Sequence, residues 1–341
     1  MQPMKIIPFF YKASSDIQYD DVTITTLVTS NRFDVLKKLA ERYEGPLSVT
    51  IHISASLSAL HALILGSPAL AARADIHLVI SPFLRAFNAW RNIARLFART
   101  EYVLLLDVDF AVCTDWREPV RALLRGEGGG DNAKMAKRMR EGRAALVLPA
   151  FEYVHPEDGK DQSRFPKDKH GLLHGVQQGK IASFHASWGP GHNSTDYRRL
   201  YSTRPGEIYR VTEYQSAYEP YVIVKKDIGA WCDERFTGYG GNKAACLFEM
   251  YISGVSFYVL SDHFLIHQSH AYEEQARKSE RRYNRKIYSD FKEEACLRYI
   301  KRFQVEGSLN TTRAHNALDE CSKIKGISKL LTQLLDSTGH D

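Results

Sequence analysis

The sequence contains few of the short patterns that identify the common kinds of functional site. Its five cysteines include no C-x-x-C pair, which disfavours zinc and a dense disulfide framework and leaves room for one disulfide with an odd thiol left over. Neither G-x-x-x-x-G-K-[ST] nor G-x-G-x-x-G occurs, so nucleotide binding through those loops is unsupported. The G-x-S-x-G turn of serine hydrolases is also missing, and an activated serine is therefore not indicated.

The sequence also lacks a strong charge bias and a long apolar run. Its 44% hydrophobic and 25% charged residues are ordinary for a soluble globular protein, and 341 residues can bury a large core. The net charge of +6 is mild and suits an anionic small substrate, whereas no motif for binding nucleic acid is present. The first residues contain no span suited to a membrane helix and only a poor signal-peptide core. Two acceptor sequons, at Asn193 and Asn310, are compatible with a secretory location.

What the sequence does contain is a regular alternation of strand-like and helix-like segments. Strands are predicted over 22–30, 47–54, 75–81 and 102–106, and helices over 32–43, 55–65 and 87–100. This alternation predicts an α/β fold, with a mostly parallel central sheet flanked by helices. Residues 1–20 are expected to be a loose lead-in, and 306–341 a disordered or loosely docked tail.

The most informative stretch is the apolar run 102–106, which is followed by Asp107 and Asp109. Such a strand is buried on both faces, so the two carboxylates are expected where the chain leaves the sheet. Ligands of open α/β sheets bind at that edge. Two carboxylates there suit Mg²⁺ or Mn²⁺ and, through the metal, a diphosphate. This is the only Asp-x-Asp in the sequence.

Three patterns later in the sequence give weaker evidence of a binding site. His267 and His270 follow an apolar run and could complete a divalent site, but spacing alone favours ordinary structural histidines. The segment from Gly238 to Lys243, at the start of a predicted helix, permits close backbone approach to a ligand or a tight turn. The basic cluster within 277–286 is interpreted mostly as a solvated helix face, with one or two members available to a pyrophosphate.

Together these segments resemble glycosyltransferase family 49, which includes the LARGE-type and β-1,4-glucuronyltransferase-like enzymes. The resemblance covers roughly 21–303, and the number and order of the matching segments make it specific. The segments are YEGPLSVTIHIS, N-x-x-RN-x-A from Asn88, YVLLLDVDF, ALVLPAFE, FPKDK, WGPGH, YEPYVIVKKD, RFTGYGGNK and FLIHQSHA.

The resemblance implies a GT-A fold with a nucleotide-sugar half (21–125) merged with an acceptor half (126–305). It implies inverting transfer from a UDP-sugar to a hydroxyl of a glycan or glycoprotein acceptor, with Mn²⁺ (or Mg²⁺) held by Asp107, Asp109 and His267. Glucuronate as the transferred sugar is an extrapolation. The residues expected around the donor are Asp107, Asp109, Thr29, Asn31, Arg32, Asn88, Arg91, Asn92, Asn242 and Lys243.

The catalytic base is the point at which the sequence departs from the pattern. Many inverting GT-A enzymes carry a carboxylate in a Trp-Gly-x-Glu-Asp motif, and the corresponding stretch here, Gly238 to Lys243, has none. Gly241 also replaces the bulkier aromatic expected before Asn-Lys. Candidates for the base that remain open are Asp233, Glu234, Glu219, Glu249 and His192.

Two alternatives remain beside the transferase. The missing carboxylate is compatible with a catalytically silent, lectin-like protein that binds a glycan or UDP-sugar. A nucleotidyltransferase would also use paired aspartates, but it would normally have a Gly-rich nucleotide loop near 22–31, and none is present. The resemblance implies the Golgi lumen, although family members carry an N-terminal anchor that this sequence is expected to lack.

Overall fold

Two β-sheets surrounded by helices form the framework of the protein in the computed structural model, which describes residues 4–53, 57–82, 85–270 and 274–338. The strands in these residues are β1 Lys5–Tyr11, β2 Val22–Val28, β3 Leu47–His52, β4 Ala74–Ile80, β5 Tyr102–Leu105, β6 Phe110–Val112, β7 Ala144–Leu148, β8 Ala150–Tyr153, β9 Ile181–Ser183, β10 Ile208–Arg210, β11 Tyr221–Lys225, β12 Ser256–Leu260 and β13 Leu265–His267.

The helices alternate with the strands in the first half and pack together in the last quarter. They are α1 Phe33–Arg42, α2 Leu57–Leu65, α3 Pro68–Arg73, α4 Phe87–Phe97, α5 Arg117–Arg125, α6 Gly130–Arg140, α7 Lys169–Gln177, α8 Tyr197–Ser202, α9 Asn242–Ile252, α10 Glu274–Val305, α11 His315–Ser322 and α12 Lys325–Thr338. Within the described residues, none of these helices is both long and apolar enough to cross a lipid bilayer.

The predicted alternation forms the parallel part of the larger sheet. That sheet has nine strands in the order β1-β4-β3-β2-β5-β11-β7-β12-β10, and the pairs from β4 to β5 are parallel. β2 and β3 are buried on both faces, as parallel strands covered by helices must be. The α/β fold class is therefore confirmed. Residues 54–56, which include the predicted end of one strand and start of the next helix, lie outside the described residues.

The second half of the sheet is mixed rather than parallel. β11 enters antiparallel between β5 and β7, and β12 then pairs parallel with β7. The apolar segment 144–153 divides into two strands at Pro149, which has no N–H to continue a ladder. β7 stays in the large sheet, whereas β8 joins a four-stranded sheet in the order β6-β13-β8-β9.

Both ends of the chain are packed more firmly than expected. The expected loose lead-in contains β1, which pairs antiparallel with β4 at the sheet edge. The tail forms α11 and α12, and the buried Asn316 donates to the carbonyl oxygens of Tyr251 and Val255 at 3.1 and 2.9 Å. Contacts with other parts of the chain hold these segments, namely strand pairing for β1 and buried residues of α11 and α12 for the tail, so tertiary packing decides their structure.

The cysteines form two disulfides, where the sequence left room for one. Cys232 pairs with Cys246, and Cys296 with Cys321, while Cys113 is the odd, buried thiol. The first pair closes the loop before α9, and the second ties α10 to α11. Cysteine spacing alone does not reveal such pairs, because it does not say which segments meet.

Candidate functional site

A cleft of about 1170 Å³ opens at the carboxyl ends of the parallel strands. The loops that leave β2 and β5 and the last residue of β3 contribute to its lining, as in the binding crevices of other open α/β sheets. Asp107 and Asp109 lie in the tight turn after β5, where the Phe110 N–H donates to the Asp107 carbonyl oxygen at 3.1 Å. The predicted position of the two carboxylates at the end of a buried strand matches the structure.

Asp109 lies beside two histidines. The side-chain donor atoms of Asp109, His267 and His270 are all within 4.8 Å of one another. The small sheet creates this proximity, because His267 pairs with Phe110 across β13 and β6, and the Gln268 N–H donates to the Asp109 carbonyl oxygen at 2.8 Å. Burial lowers the pKa of His267 to about 4, so its imidazole is neutral and has a lone pair for a metal.

The chemistry of this donor set fits a particular kind of metal. One carboxylate and two imidazoles suit Mn²⁺ or another first-row transition metal, whereas Mg²⁺ prefers oxygen ligands alone. The spacing argument gave little weight to His270, yet its Nε2 lies 3.3 Å from the Asp109 carboxylate. The three residues together form the candidate metal centre.

Asp107 has different neighbours from Asp109. Its carboxylate is paired with Lys243 Nζ at 3.0 Å and Arg91 Nη2 at 3.1 Å, and it accepts a hydrogen bond from the Tyr221 hydroxyl at 3.1 Å. Burial alone would raise the pKa of Asp107, but the two cations bring it well below the usual carboxyl range. The sequence grouped Asp107 with the metal ligands, which stays a prediction; its described contacts are with Lys243, Arg91 and Tyr221.

The glycine-rich segment explains how Lys243 reaches this position. Gly240 and Gly241 have φ of 92° and 69°, a left-handed conformation that favours glycine, and α9 begins immediately afterwards. Lys243 is therefore in the first turn of α9, 8% exposed, with Nζ 3.8 Å from the centroid of the Tyr221 ring. A Cβ at Gly240 would also lie 2.9 Å from the Arg281 side chain, so the close packing of α10 requires glycine.

Two of the asparagines predicted near the donor, Asn88 and Asn92, form hydrogen bonds that hold the backbone around residues 232–242. Asn88 is fully buried and donates to the carbonyl oxygens of Asp233 and Asn242 at 2.8 and 3.0 Å. Asn92 exchanges two hydrogen bonds with the Cys232 backbone. Arg91 is the member of this α4 face that lines the cleft, and it donates to the Asn242 side-chain oxygen at 2.6 Å. Asn88 and Asn92 thus fix the loop that leads into α9, whose first two residues are Asn242 and Lys243.

The loop after β2 forms another part of the lining. Thr29, Asn31 and Arg32 line the cleft, as predicted. The Thr29 hydroxyl donates to the Asn31 side-chain oxygen at 2.6 Å, and Arg32 Nε lies 3.1 Å from Asp109. Arg32 thereby connects this loop with the candidate metal centre.

The candidates for the base are separated by their surroundings. Glu219 lines the cleft, and its burial raises its pKa although Lys243 opposes the shift. His192 is buried behind Phe184, and burial holds its pKa well below the usual value. Three others have structural partners: Asp233 pairs with Arg235, Glu234 accepts from Asn92, and Glu249 pairs with Arg298. Of the five, only Glu219 is among the described residues that line the cleft.

Cations outnumber acids in the described lining of the cleft. Seven side chains are Arg or Lys and three are Asp or Glu. The cations are Arg32, Arg85, Arg91, Lys243, Arg277, Arg281 and Arg285. The last three come from α10 at a spacing of four residues, so they share one face of the helix. The sequence assigned this cluster mostly to solvent; the spacing of four was the signal that one face could meet a site.

The turn after β9 contributes His185 and Trp188 to the lining, and the sequence assigned no site role to either residue. The His185 N–H donates to a Glu152 carboxylate oxygen at 2.8 Å, and the His185 ring stacks on Phe184 with centroids 3.9 Å apart. Partial burial and the positive charges of Lys243, Arg277 and Arg281 lower the pKa of His185 to about 4. Trp188 follows in this turn and lines the cleft. Trp188 begins the WGPGH segment of the resemblance but was given no role there, and no local pattern marks His185.

The chain is similar to known glycosyltransferases. A family model described as "Glycosyl-transferase for dystroglycan" matches residues 21–87 and 82–300. The chain is 34% identical over 256 residues to xylosyl- and glucuronyltransferase LARGE2 of Rattus norvegicus, covering 74% of this chain and 35% of that protein. It is 29% identical over 257 residues to xylosyl- and glucuronyltransferase LARGE1 of Homo sapiens, a match that covers 74% of this chain and 31% of that protein. The chain therefore spans about a third of the length of these relatives.

Solved structures give a weaker likeness. One solved structure is the mannosyltransferase PcManGT from Pyrobaculum calidifontis in complex with GDP-Man and Mn²⁺. Its sequence is 14% identical to this chain, and its TM-score is 0.40. The superposition covers 97% of this chain and 85% of that one. A TM-score of that size does not establish a detailed structural correspondence.

Proposed function

The chain belongs to the glycosyltransferase family described as acting on dystroglycan, and from this premise we propose that it moves a sugar from a UDP-sugar to a glycan hydroxyl. The observation that carries the proposal is the convergence of Asp109, His267 and His270 in a cleft at the carboxyl ends of the parallel strands. The proposed reaction depends on a divalent metal and inverts the anomeric configuration. Glucuronate is the proposed donor sugar.

The proposed metal is Mn²⁺, held by Asp109, His267 and His270. Bound there, it would neutralise the donor diphosphate and stabilise the UDP leaving group. The loop of Thr29, Asn31 and Arg32 lies next to this centre and would bind the nucleoside side of the donor. Lys243 and Arg91, both held by Asp107, supply positive charge to a phosphate or to the carboxylate of a uronate donor.

Glu219 is the proposed base. Its raised pKa makes it a stronger proton acceptor than an ordinary glutamate, and it lies in the cleft beside Lys243. The acceptor hydroxyl oxygen would form its bond to the anomeric carbon as the bond from that carbon to the UDP oxygen breaks. The hydroxyl proton passes to Glu219, and attack opposite the leaving group inverts the centre.

A luminal compartment of the secretory pathway, the Golgi by family likeness, is the proposed location. Two disulfides are typical of an oxidising compartment. Asn193 and Asn310, the two sequon asparagines, are both exposed.

UDP release from a panel of UDP-sugars tests the proposal, with Mn²⁺, Mg²⁺ or EDTA added in parallel. The panel contains UDP-glucuronate, UDP-xylose, UDP-glucose, UDP-galactose and UDP-N-acetylglucosamine. We expect release that requires Mn²⁺ and favours one donor. Mn²⁺-dependent UDP binding without release from any donor, even with acceptor glycans present, would favour the lectin-like alternative. Absence of UDP binding would contradict the proposed function.

A further inference from the structure

Two asparagines of the chain, Asn193 and Asn310, begin N-x-[ST] acceptor sequences for N-linked glycans. The residue that must carry a hydroxyl, two positions further on, is threonine in both sequons, at Thr195 and Thr312. The sequence therefore does not distinguish the two candidate sites. Their surroundings in the folded protein do distinguish them.

Asn310 lies in the turn between α10 and α11. It is exposed to solvent, and so are the two threonines that follow it, Thr311 and Thr312. Within the described residues, no hydrogen bond or ion pair holds the Asn310 side chain. The turn itself is anchored, because Leu309 is buried and the Thr311 N–H donates to the Ser308 carbonyl oxygen at 3.1 Å. A glycan attached to Asn310 would extend from this turn directly into solvent.

Asn193 has more confined surroundings, although the residue is also exposed. Its Nδ2, the atom to which a glycan is attached, packs over Gly189, where a Cβ would lie only 2.4 Å away. Ser194 and Thr195 are buried, and the Thr195 hydroxyl is hydrogen-bonded to the Tyr218 hydroxyl at 2.7 Å. The hydroxyl that this sequon needs is therefore inaccessible once the chain has folded.

A glycan attached to Asn193 before folding would also disturb the cleft. Two residues before Asn193, the Gly191 carbonyl oxygen accepts the N–H of Glu219, the proposed base, at 2.8 Å. A sugar on Nδ2 would need the space that Asn193 and Gly189 share, so this turn would move and Glu219 with it. In contrast, residues 308–314 are not among the described lining residues of the cleft. A glycan in that segment leaves the cleft as it is.

We propose that Asn310 is an N-glycosylation site and that Asn193 is not glycosylated in the folded protein. The inference rests on the proposed luminal location and not on the transfer reaction. The co-reactant is an oligosaccharide carried on a polyprenyl diphosphate. The Asn310 Nδ2 loses one proton and forms a bond to C1 of the first sugar, while the bond from C1 to the diphosphate oxygen breaks and the lipid diphosphate leaves. The bulky, polar glycan then covers the turn between α10 and α11.

Site-resolved mass spectrometry tests this proposal. The full chain, preceded by a cleavable signal peptide, is expressed in cultured eukaryotic cells, and the folded fraction is isolated by size-exclusion chromatography. A peptide-N-glycosidase acting in water enriched in heavy oxygen converts each glycosylated asparagine to a labelled aspartate. The peptides that contain positions 193 and 310 are then compared. Electrophoretic mobility before and after the enzyme reports the total glycan.

Five variants locate the modification. Asn310→Gln removes the acceptor amide and Thr312→Ala removes the hydroxyl, so each should abolish the label and the whole mobility shift. Thr312→Ser keeps the N-x-[ST] pattern and should retain the glycan. Thr311→Ala is the matched control, because it makes the same change one residue away and leaves the sequon intact. Asn193→Gln should leave the mobility shift unchanged.

The expected result is a label at position 310 and none at position 193. An unlabelled Asn310 in the folded fraction would overturn the proposal, and so would a label at Asn193 in that fraction. Melting temperatures of Asn310→Gln and Thr312→Ala close to that of the enzymatically deglycosylated protein establish that loss of the glycan is not caused by unfolding.

Calorimetric binding of UDP with Mn²⁺ on the same sample separates this inference from the proposed function. A sample that binds UDP but has no label at Asn310 contradicts the glycosylation site alone. A sample that is labelled at Asn310 but does not bind UDP contradicts the proposed transferase and supports the glycosylation site.

Discussion

At the scale of single residues, two neighbouring carboxylates of one motif have different surroundings. Asp109 lies with His267 and His270, whereas Asp107 lies between Lys243 and Arg91. Their side chains point in different directions because one residue separates them in a tight turn after β5. The predictions for the two aspartates therefore differ.

Asp109→Asn should abolish the metal response. The change removes the charged donor of the candidate metal centre, so Mn²⁺ should no longer raise the melting temperature, and turnover should fall by at least about 100-fold. Differential scanning fluorimetry with and without Mn²⁺ measures the first effect without any need for activity. Asp115→Asn, an exposed carboxylate close in sequence, serves as control. An Asp109→Asn protein that keeps the full Mn²⁺ shift would contradict the assignment.

His267→Ala should weaken Mn²⁺ binding more than His270→Ala does. His267 is 6% exposed and held in β13, so its imidazole is oriented before the metal arrives, whereas His270 lies beyond the strand. Titration of the melting temperature with Mn²⁺ compares the two apparent affinities. Equal losses of Mn²⁺ affinity would show that holding His267 in β13 does not strengthen metal binding.

Asp107→Asn should destabilise the fold as well as the reaction. It leaves Lys243 and Arg91 without the charge that offsets them, which should cost about 2 kcal/mol. Because the folded pKa of Asp107 is lowered, this stabilisation is present at neutral pH and is lost as the pH falls below the ordinary carboxyl range. Urea unfolding at pH 7 and at acidic pH measures it. The Mn²⁺ shift should persist, and its complete loss would place Asp107 among the metal ligands.

Glu219→Gln should lower kcat by about 10²- to 10⁴-fold and leave UDP binding nearly unchanged. In the unaltered protein, activity should fall as the pH drops through the raised pKa of Glu219, at a higher pH than for an ordinary glutamate. Burial raises the pKa of this carboxyl and Asp107 adds to the rise, whereas Lys243, Arg91 and the Ala244 N–H oppose it. A pH–rate profile with the preferred donor checks this. A profile that is unchanged in Glu219→Gln would exclude it as the base.

At the scale of elements, the loop before α9 joins the two halves of the cleft. Asn88 and Asn92 of α4 bind its backbone, and the Cys232–Cys246 disulfide closes it. The positions of Asn242 and Lys243 thus depend on α4, on the disulfide and on the two left-handed glycines together.

The two disulfides should have separable effects. Replacing Cys232 and Cys246 by Ser should cost about 3 kcal/mol and raise the KM for the donor, because the loop that positions Lys243 is released. Replacing Cys296 and Cys321, which are not among the described lining residues of the cleft, should cost a similar amount of stability without changing that KM. Chemical unfolding and donor kinetics on both double variants make the comparison. A donor KM that is equal in the two variants would show that the loop does not need its disulfide.

At the scale of the whole molecule, the parallel half supplies the proposed donor side of the cleft, and the later half supplies four of the seven cations in the described lining. β11 joins the halves by pairing antiparallel with β5 on one side and β7 on the other. α10 then crosses back so that its arginines line the same cleft as the loops after β2 and β5. The cleft is therefore lined by segments that are far apart in the chain.

The sequence by itself determined the α/β class, the strand that precedes Asp107 and Asp109, and the family. These follow from local periodicity and from motifs whose residues are close together, such as the two aspartates after a buried apolar run. Only the tertiary structure decided that His270 meets Asp109, that Lys243 and Arg91 surround Asp107, that Glu219 faces the cleft and Asp233 does not, and which cysteines pair. Each of these contacts joins residues brought together by the order of strands and the packing of helices, and a contact of that kind leaves no local pattern in the sequence.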